Sequence, residues 1–463
     1  MPLPNLSFAS FFLSVSFVAL CFCTSSNAGS SNDFLGAECL TVPAAEFAGS
    51  LRTTIDAVRK VTPIVSQFGN LFGDFRLSNA ISDCLDLLDF SADELSWSLS
   101  ASQNPTGPRS ISNEAAANTG GRKSSKNDRF PTWFKREDRK LLQANGVRAD
   151  VVVAADGTGN FTTIMNAVKA APDYSMNRFV IYVKKGLYRE NVEIKKKKWN
   201  LVMIGDGMDV TVISGNRSFI DGWTTFRSAT FAVSGRGFIA RDITFENTAG
   251  PEKHQAVALR SDSDLSVFFR CAIRGYQDSL YTHTMRQFFR ECKITGTVDF
   301  IFGDAVVVFQ NCQILAKKGL PNQKNTITAQ GRKDPNQPTG FSIQFCNITA
   351  DTDLLPNVNS TPTYLGRPWK LYSRTIIMQS YIGSAIRPQG WLEWNQDFAL
   401  DTLYYAEFKN FGPGAGLGGR VQWPGYHALN NTVQAGNFTV AQFIEGDLWL
   451  PSTGVKFTAG LMV

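Results

Sequence analysis

VFFRCAI (267–273), QFFRECKI (287–294) and VVFQNCQI (307–314) repeat one pattern: β-branched and aromatic residues around a cysteine, closed by isoleucine. The cysteines Cys271, Cys292 and Cys312 stand 21 and 20 residues apart. Gln255, Gln277 and Asp299 stand 22 apart, and Asp278 lies 21 before Asp299. A 20–25-residue period with strand-like content predicts a parallel β-solenoid, in which residues one period apart stack in successive coils ~5 Å apart. The period then gathers two amides and two carboxylates into one surface cluster.

Further short runs extend the pattern. VVVAAD (151–156), FVIYVKKG (179–186), NLVMIGDG (200–207), TVISG (211–215), FIARDITF (238–245), FSIQFCNI (341–348) and TIIMQSYI (375–382) read as strands closed by turn residues. One helix is expected at 163–171, with Ile164, Ala167 and Val168 on one face. Aligning Ile243, Ile273, Ile294, Ile314, Ile348 and Ile382 gives steps of 30, 21, 20, 34 and 34, a period plus insertions. Insertions in a solenoid become loops and often build its binding groove. A sandwich or barrel also uses short strands, but recurrence of the same residue types in register favours the solenoid.

The N-terminal third differs. Residues 8–23 are apolar and precede Ser26-Asn27-Ala28, which reads as a secretory signal over 1–28, with a signal anchor as the alternative. Residues 34–103 have helical spacing: Phe47, Leu51, Ile55, Val58 and Val61, then Ile81, Leu85, Leu88, Ala92, Leu95 and Leu99. Residues 104–142 form a polar linker that ends in the basic cluster Arg139-Lys140-Leu141-Leu142, a candidate processing site. The strand-rich domain is expected over 143–463.

Secretion fits the six Asn-x-Ser/Thr triplets outside the signal, at Asn160, Asn216, Asn347, Asn359, Asn430 and Asn437. It makes disulfides plausible, although Cys271 and Cys292 suit a bridge or a buried thiol stack equally. The net charge of +6 suits an anionic surface or simple solubility. The run 195–198 reads as a solvated strand edge or turn, since no nucleic-acid motif accompanies it. His254, His283 and His427 lack metal-ligand spacing.

Five motifs resemble those of plant pectin methylesterases (pectinesterases): GLYRE (186–190), QAVAL (255–259), GYQDSLY (275–281), GTVDFIFG (296–303) and LGRPW (365–369). The resemblance runs from about residue 151 to WLPSTGVKF (449–457). It implies a right-handed parallel β-helix, an all-β catalytic domain preceded here by a short α-helical pro-region. It also implies secretion to the cell wall and hydrolysis of methyl esters of pectin without metal or organic cofactor. By motif, Asp299 would be the nucleophile and Asp278 the general acid, then base. Gln255 and Gln277 would form the oxyanion hole, Arg367 would hold Asp299, and Trp369, Tyr281, Phe302 and Trp391 would line the substrate groove.

The N-terminal segment resembles, in part, the inhibitor-like pro-domain of that family. The family domain carries four cysteines and a further helical segment, whereas this chain has Cys39 and Cys84 and reaches its linker sooner. Expected partners are methyl-esterified homogalacturonan and a proteinaceous pectinesterase inhibitor, with the enzyme a monomer.

The chemistry is coherent without the family. Ester hydrolysis needs a nucleophile, a proton for the leaving methoxide and donors for the oxyanion. An Asp held by a guanidinium stays charged, while a second, buried carboxyl beside it keeps its proton. Gln277 and Asp278 are adjacent, so both reach one site only if the chain bends between them. Three other readings compete. Two carboxylates one coil apart suit a glycosidase or lyase, two periodic glutamines suit a structural amide ladder, and a solenoid can bind polysaccharide without catalysis.

Overall fold

The computed structural model describes residues 44–68, seven positions between 81 and 96, and residues 149–462. Two compact units divide at residue 128. In the first, Ala44–Phe68 is a helix with Leu51, Ile55 and Val58 buried along one stripe. Positions 81, 85, 88, 92 and 95 are helical and half-buried, as their spacing predicts. The signal, the linker, the processing cluster at Arg139, Cys39 and Cys84 lie outside the described residues.

The second unit is a parallel β-helix. Among the described residues its strands form three sheets of 11, 8 and 7 strands, termed A, B and C, and every pairing is parallel. One coil runs Ser266–Phe269 in sheet A, Ala272–Arg274 in B and Leu280–Thr282 in C. Each repeated segment thus holds two strands rather than one, with a sharp corner between them. The corner residue is left-handed: Arg270 (φ 50°), Glu291 (54°), Asn311 (56°), Phe345 (55°) and Gln379 (50°). Such a conformation costs a non-glycine residue on the order of 1–3 kcal/mol. Here inter-coil bonds hold it, as from Arg270 N–H to the Arg290 carbonyl (2.9 Å).

The isoleucine ladder exists from Ile273 through Ile294, Ile314 and Ile348 to Ile382. Its first rung is corrected: Phe245, not Ile243, pairs with Ile273, because Ile243 sits at the corner after Asp242. The many phenylalanines fill the interior, with Phe268 stacked on Phe289 at 4.6 Å and Phe289 on Phe309 at 5.0 Å. Cys271, Cys292, Cys312 and Cys346 follow successive corners as free, buried thiols, so the thiol stack is the arrangement present and the bridge between Cys271 and Cys292 is not.

One end of the coil stack and the outer face of sheet A are covered locally. The helix Ile164–Ala170 buries Ile164, Ala167 and Val168 over the first coil. Glu190 of GLYRE accepts from the N–H groups of Ile164 (2.8 Å) and Met165 (3.1 Å), a carboxylate at a helix N-terminus. The outer face of sheet A is covered by the C-terminal segment, where Val440, Ile444, Trp449 and Leu450 pack on Val267, Phe288 and Val308. The 195–198 run is a turn in which Lys197 and Lys198 pair with Asp173 and Lys195 with Glu193.

Candidate active site

Asp278 and Asp299 occupy equivalent corners between sheets B and C. Leu280 pairs with Leu259 and Ile301 with Leu280, so the coil period here is 21 residues. Asp278 and Asp299 are therefore in register, while Gln277 falls one position before it and Gln255, 22 residues earlier, two positions before it. The Ala256 N–H donates to the Gln277 carbonyl at 3.2 Å, which fixes this offset. Gln255, Gln277 and Asp299 consequently do not form one vertical stack. The bend required between Gln277 and Asp278 is present as a left-handed residue, Asp278 at φ 62°, matched by Asp299 at φ 50°.

Asp299 is gripped by Arg367 in a two-pronged pair, Nε to Oδ1 at 2.8 Å and Nη2 to Oδ2 at 2.6 Å. Thr326, fully buried, donates its hydroxyl to Oδ1 at 2.6 Å and accepts the Asp299 N–H at 2.9 Å. Burial alone would lower the Arg367 pKa, but its bonds to Asp299 and the charges of Asp299 and Asp278 raise it above the ordinary guanidinium value. Asp278 is buried as deeply as Asp299. Among the described residues its carboxyl makes no hydrogen bond to protein. Burial first, then the charge of Asp299, holds its pKa well above the usual carboxylate range, with Arg367 opposing. The two carboxyls thus differ in kind: Asp299 is locked in a bidentate fork, while Asp278 has no such partner and favours the neutral acid.

Gln255 and Gln277 are half-buried in the turns that lead into sheet C. Among the described residues neither side-chain amide bonds to protein. An amide ladder does exist in this molecule, but at Gln310 and Gln344, joined Nε2 to Oε1 at 2.9 Å beneath the C-terminal tail. The structural reading therefore belongs to those glutamines, and the amides of Gln255 and Gln277 remain available to a ligand.

Tyr281 and Phe302 lie on the outer face of sheet C, stacked at 4.2 Å, and Trp369 meets Phe302 edge-on at 6.0 Å. They form an apolar patch with Val257 and Ala329, continued by Phe226. Trp391 does not line this surface. It is 1% exposed, stacks on Tyr405 at 4.2 Å and directs its indole N–H toward Glu407 (3.3 Å). Its backbone bridges Gly366, so it buttresses the strand that carries Arg367. The exposed aromatic is Trp394, whose ring lies 4.3 Å from the Arg367 guanidinium. Thr326, Trp394 and Phe226 were not legible as site residues. Trp394 alone left a trace, as the second tryptophan of WLEW.

The family model described as Pectinesterase matches residues 150–447. A pectinesterase/pectinesterase inhibitor of Prunus persica, PPE8B, is 66% identical across 97% of this chain and 94% of its own length. Probable pectinesterase/pectinesterase inhibitor 44 of Arabidopsis thaliana is 60% identical, over 95% of this chain and 97% of its own. Among solved structures, the pectin methylesterase from carrot superposes with a TM-score of 0.68 at 55% identity, covering 69% of this chain and all of that one. A carboxylic ester hydrolase built on a parallel β-helix is the class that this fold and these relatives define. Within that class, the chain belongs to the pectinesterase family. The Prunus persica alignment spans 498 positions against a chain of 463, so the relative carries at least 35 positions that this chain lacks.

Proposed function

We propose that this pectinesterase hydrolyses the methyl esters of homogalacturonan, with Asp299 as nucleophile and Asp278 as the acid and base. The observation that carries this reading is the Arg367 fork on Asp299 beside a buried Asp278 that favours its proton. Asp299 Oδ1 carries two hydrogen bonds and Oδ2 one, so Oδ2 is the freer oxygen for attack.

Attack on the ester carbonyl forms a tetrahedral oxyanion, for which the amides of Gln255 and Gln277 are the donors. Collapse yields an acyl anhydride on Asp299, and methanol leaves with the proton of Asp278. The Asp278 carboxylate then takes a proton from water, which attacks the anhydride. This regenerates Asp299 as the anion and releases a uronic acid. Tyr281, Phe302 and Trp369 supply the apolar wall along which the sugar chain lies, and Trp394 adds an aromatic edge above Arg367.

Secretion to the cell wall is part of the same proposal. All six of these triplet asparagines are exposed, and the five other than Asn437, which lines a cavity, suit glycosylation. The division into signal (1–28), shortened inhibitor-like pro-region (34–103), linker ending at Arg139–Leu142 and enzyme (143–463) completes it, with a proteinaceous inhibitor as partner and the mature enzyme a monomer.

The test is product analysis by the full chain on methyl-esterified pectin. Methanol release without chain cleavage is expected. New reducing ends or unsaturated sugars would instead establish a glycosidase or lyase.

A further inference from the structure

Away from the carboxylates, at the far end of the sheet C strands, a cavity of about 480 Å³ is lined by Arg332, Arg374, Tyr404, Gln434, Asn437 and Gln442. Its size falls within the ~300–1,000 Å³ range of small-ligand sites. Arg374 opens the sheet A strand Arg374–Met378, and Arg332 follows the sheet C strand Asn325–Gln330. The two guanidiniums are anchored by carbonyls of one loop. Arg332 Nε donates to Gln337 (2.9 Å) and Arg374 Nε to Thr339 (2.7 Å), while the Nη2 groups reach Pro335 and Pro338. Among the described residues neither arginine has a carboxylate in ion-pair contact, and Nη1 of each has no protein acceptor.

Asp304 attracts both guanidiniums through its charge but bonds to neither. Its oxygens are occupied by Thr339, Gln337 and Gln330. Burial raises it to about 6, against the pull of those donors and of Lys333. Arg374 is correspondingly pushed down to about 10, by burial first and Arg332 second. Two half-desolvated cations facing one cavity, with no carboxylate bonded to either, gain most from an anion with a fork-shaped acceptor. The remaining lining is that of a sugar site, with the rings of Tyr404, Phe438 and Phe443 beside three primary amides. Arg332 also adjoins the aromatic patch. A methyl group on the preceding Gly331 would fall 2.7 Å from the Trp369 ring.

We propose that this cavity is a second carbohydrate site that takes the free carboxylate of a de-esterified uronide between Arg332 and Arg374. The site thus reads product rather than ester, which gives the enzyme a hold on the acidic chain it generates. This inference rests on the reading of the substrate as a polyuronide.

The test uses the full chain carrying Asp299→Asn and produced without N-glycans, so that Asn437 is bare. Trigalacturonate, its fully methyl-esterified form and inorganic phosphate are titrated at low salt by calorimetry. Arginine Nε–H signals are followed by NMR. The expected result is that trigalacturonate shifts the Arg332 and Arg374 signals, and that Gln442→Glu weakens its binding about tenfold while leaving the ester form unchanged. Arg332→Gln should act in the same direction. Gln442 is itself exposed and bonds to none of the loop anchors, so its variant keeps them intact. Unchanged affinity in both variants overturns the proposal, and so does phosphate binding that depends on the arginines when trigalacturonate does not. Methanol release by the unmutated full chain tests the polyuronide reading separately, so failure of the two is distinguishable.

Discussion

Arg367 and Asp299, 68 residues apart in sequence, meet through both prongs of the guanidinium and both carboxylate oxygens, at 2.8 and 2.6 Å. The planar fork fixes the carboxylate's rotamer through two parallel bonds, which an ammonium cannot do. Arg367→Lys is therefore expected to lower kcat for methanol release by about 10²-fold while KM changes little. Arg367→Gln should cost more, because it leaves a buried carboxylate uncompensated. Steady-state kinetics on soluble pectin decide this, and a kcat within threefold for Arg367→Lys would show that the fork is not needed.

The state of Asp278 is set by its surroundings, and the signs can be worked out. Burial and the Asp299 charge raise its pKa, and Arg367 lowers it. Asp299→Asn removes one raising influence, so the Asp278 pKa should fall but stay above the ordinary value. Arg367→Gln should move it the other way. Carboxyl ¹³C NMR titration of the two variants reads both shifts. Because the folded pKa is raised, the unfolded chain ionises first as pH rises, and the native state loses stability between the ordinary carboxyl pKa and the raised one. Asp278→Asn should therefore raise Tm near neutral pH and have little effect below the ordinary carboxyl range.

Thr326 binds Asp299 twice, once through each role of its hydroxyl. Thr326→Val keeps the shape and removes both bonds. A stability loss of about 1–3 kcal/mol is expected. A fall in kcat is expected with it, since the Asp299 backbone and carboxylate lose a shared anchor. Denaturant melts together with kinetics check this, and wild-type values in both would assign Thr326 to the core alone.

Much of this was legible because a solenoid writes its period into the chain. The strand runs, the isoleucine ladder from Ile273 onward and the paired aspartates all came from spacing. Spacing misled where the corner moves the register. The 22-residue glutamine interval exceeds the 21-residue coil, and Ile243 falls on a turn. An insertion stretches the step from Asp299 to the Thr326 of the next sheet C strand to 27 residues, which hid Thr326, and Trp394 lies in a loop with no periodic signal. Trp391 was misassigned for a related reason. Sequence identifies an aromatic near LGRPW but does not say which side of the strand it packs on, and here the buried face won.

The close seat of Gly366 yields a further prediction. A methyl group there would lie 2.0 Å from the Thr328 hydroxyl and 3.2 Å from the Trp391 ring. Gly366→Ala should displace the strand that carries Arg367. A stability loss of about 1–3 kcal/mol is expected from the overpacking, with activity falling further than stability. A variant equally stable and equally active would mean that Trp391 does not position this strand.

The central claim is that Asp299 is the nucleophile. Asp299→Asn conserves shape and removes the charge that attacks. Methanol release by the full-length variant, beside the unmutated chain on the same pectin, measures it directly. The account predicts a loss of at least about 10⁴-fold, in a protein that still melts cooperatively. Release within tenfold of the unmutated enzyme would contradict it and move the nucleophile elsewhere.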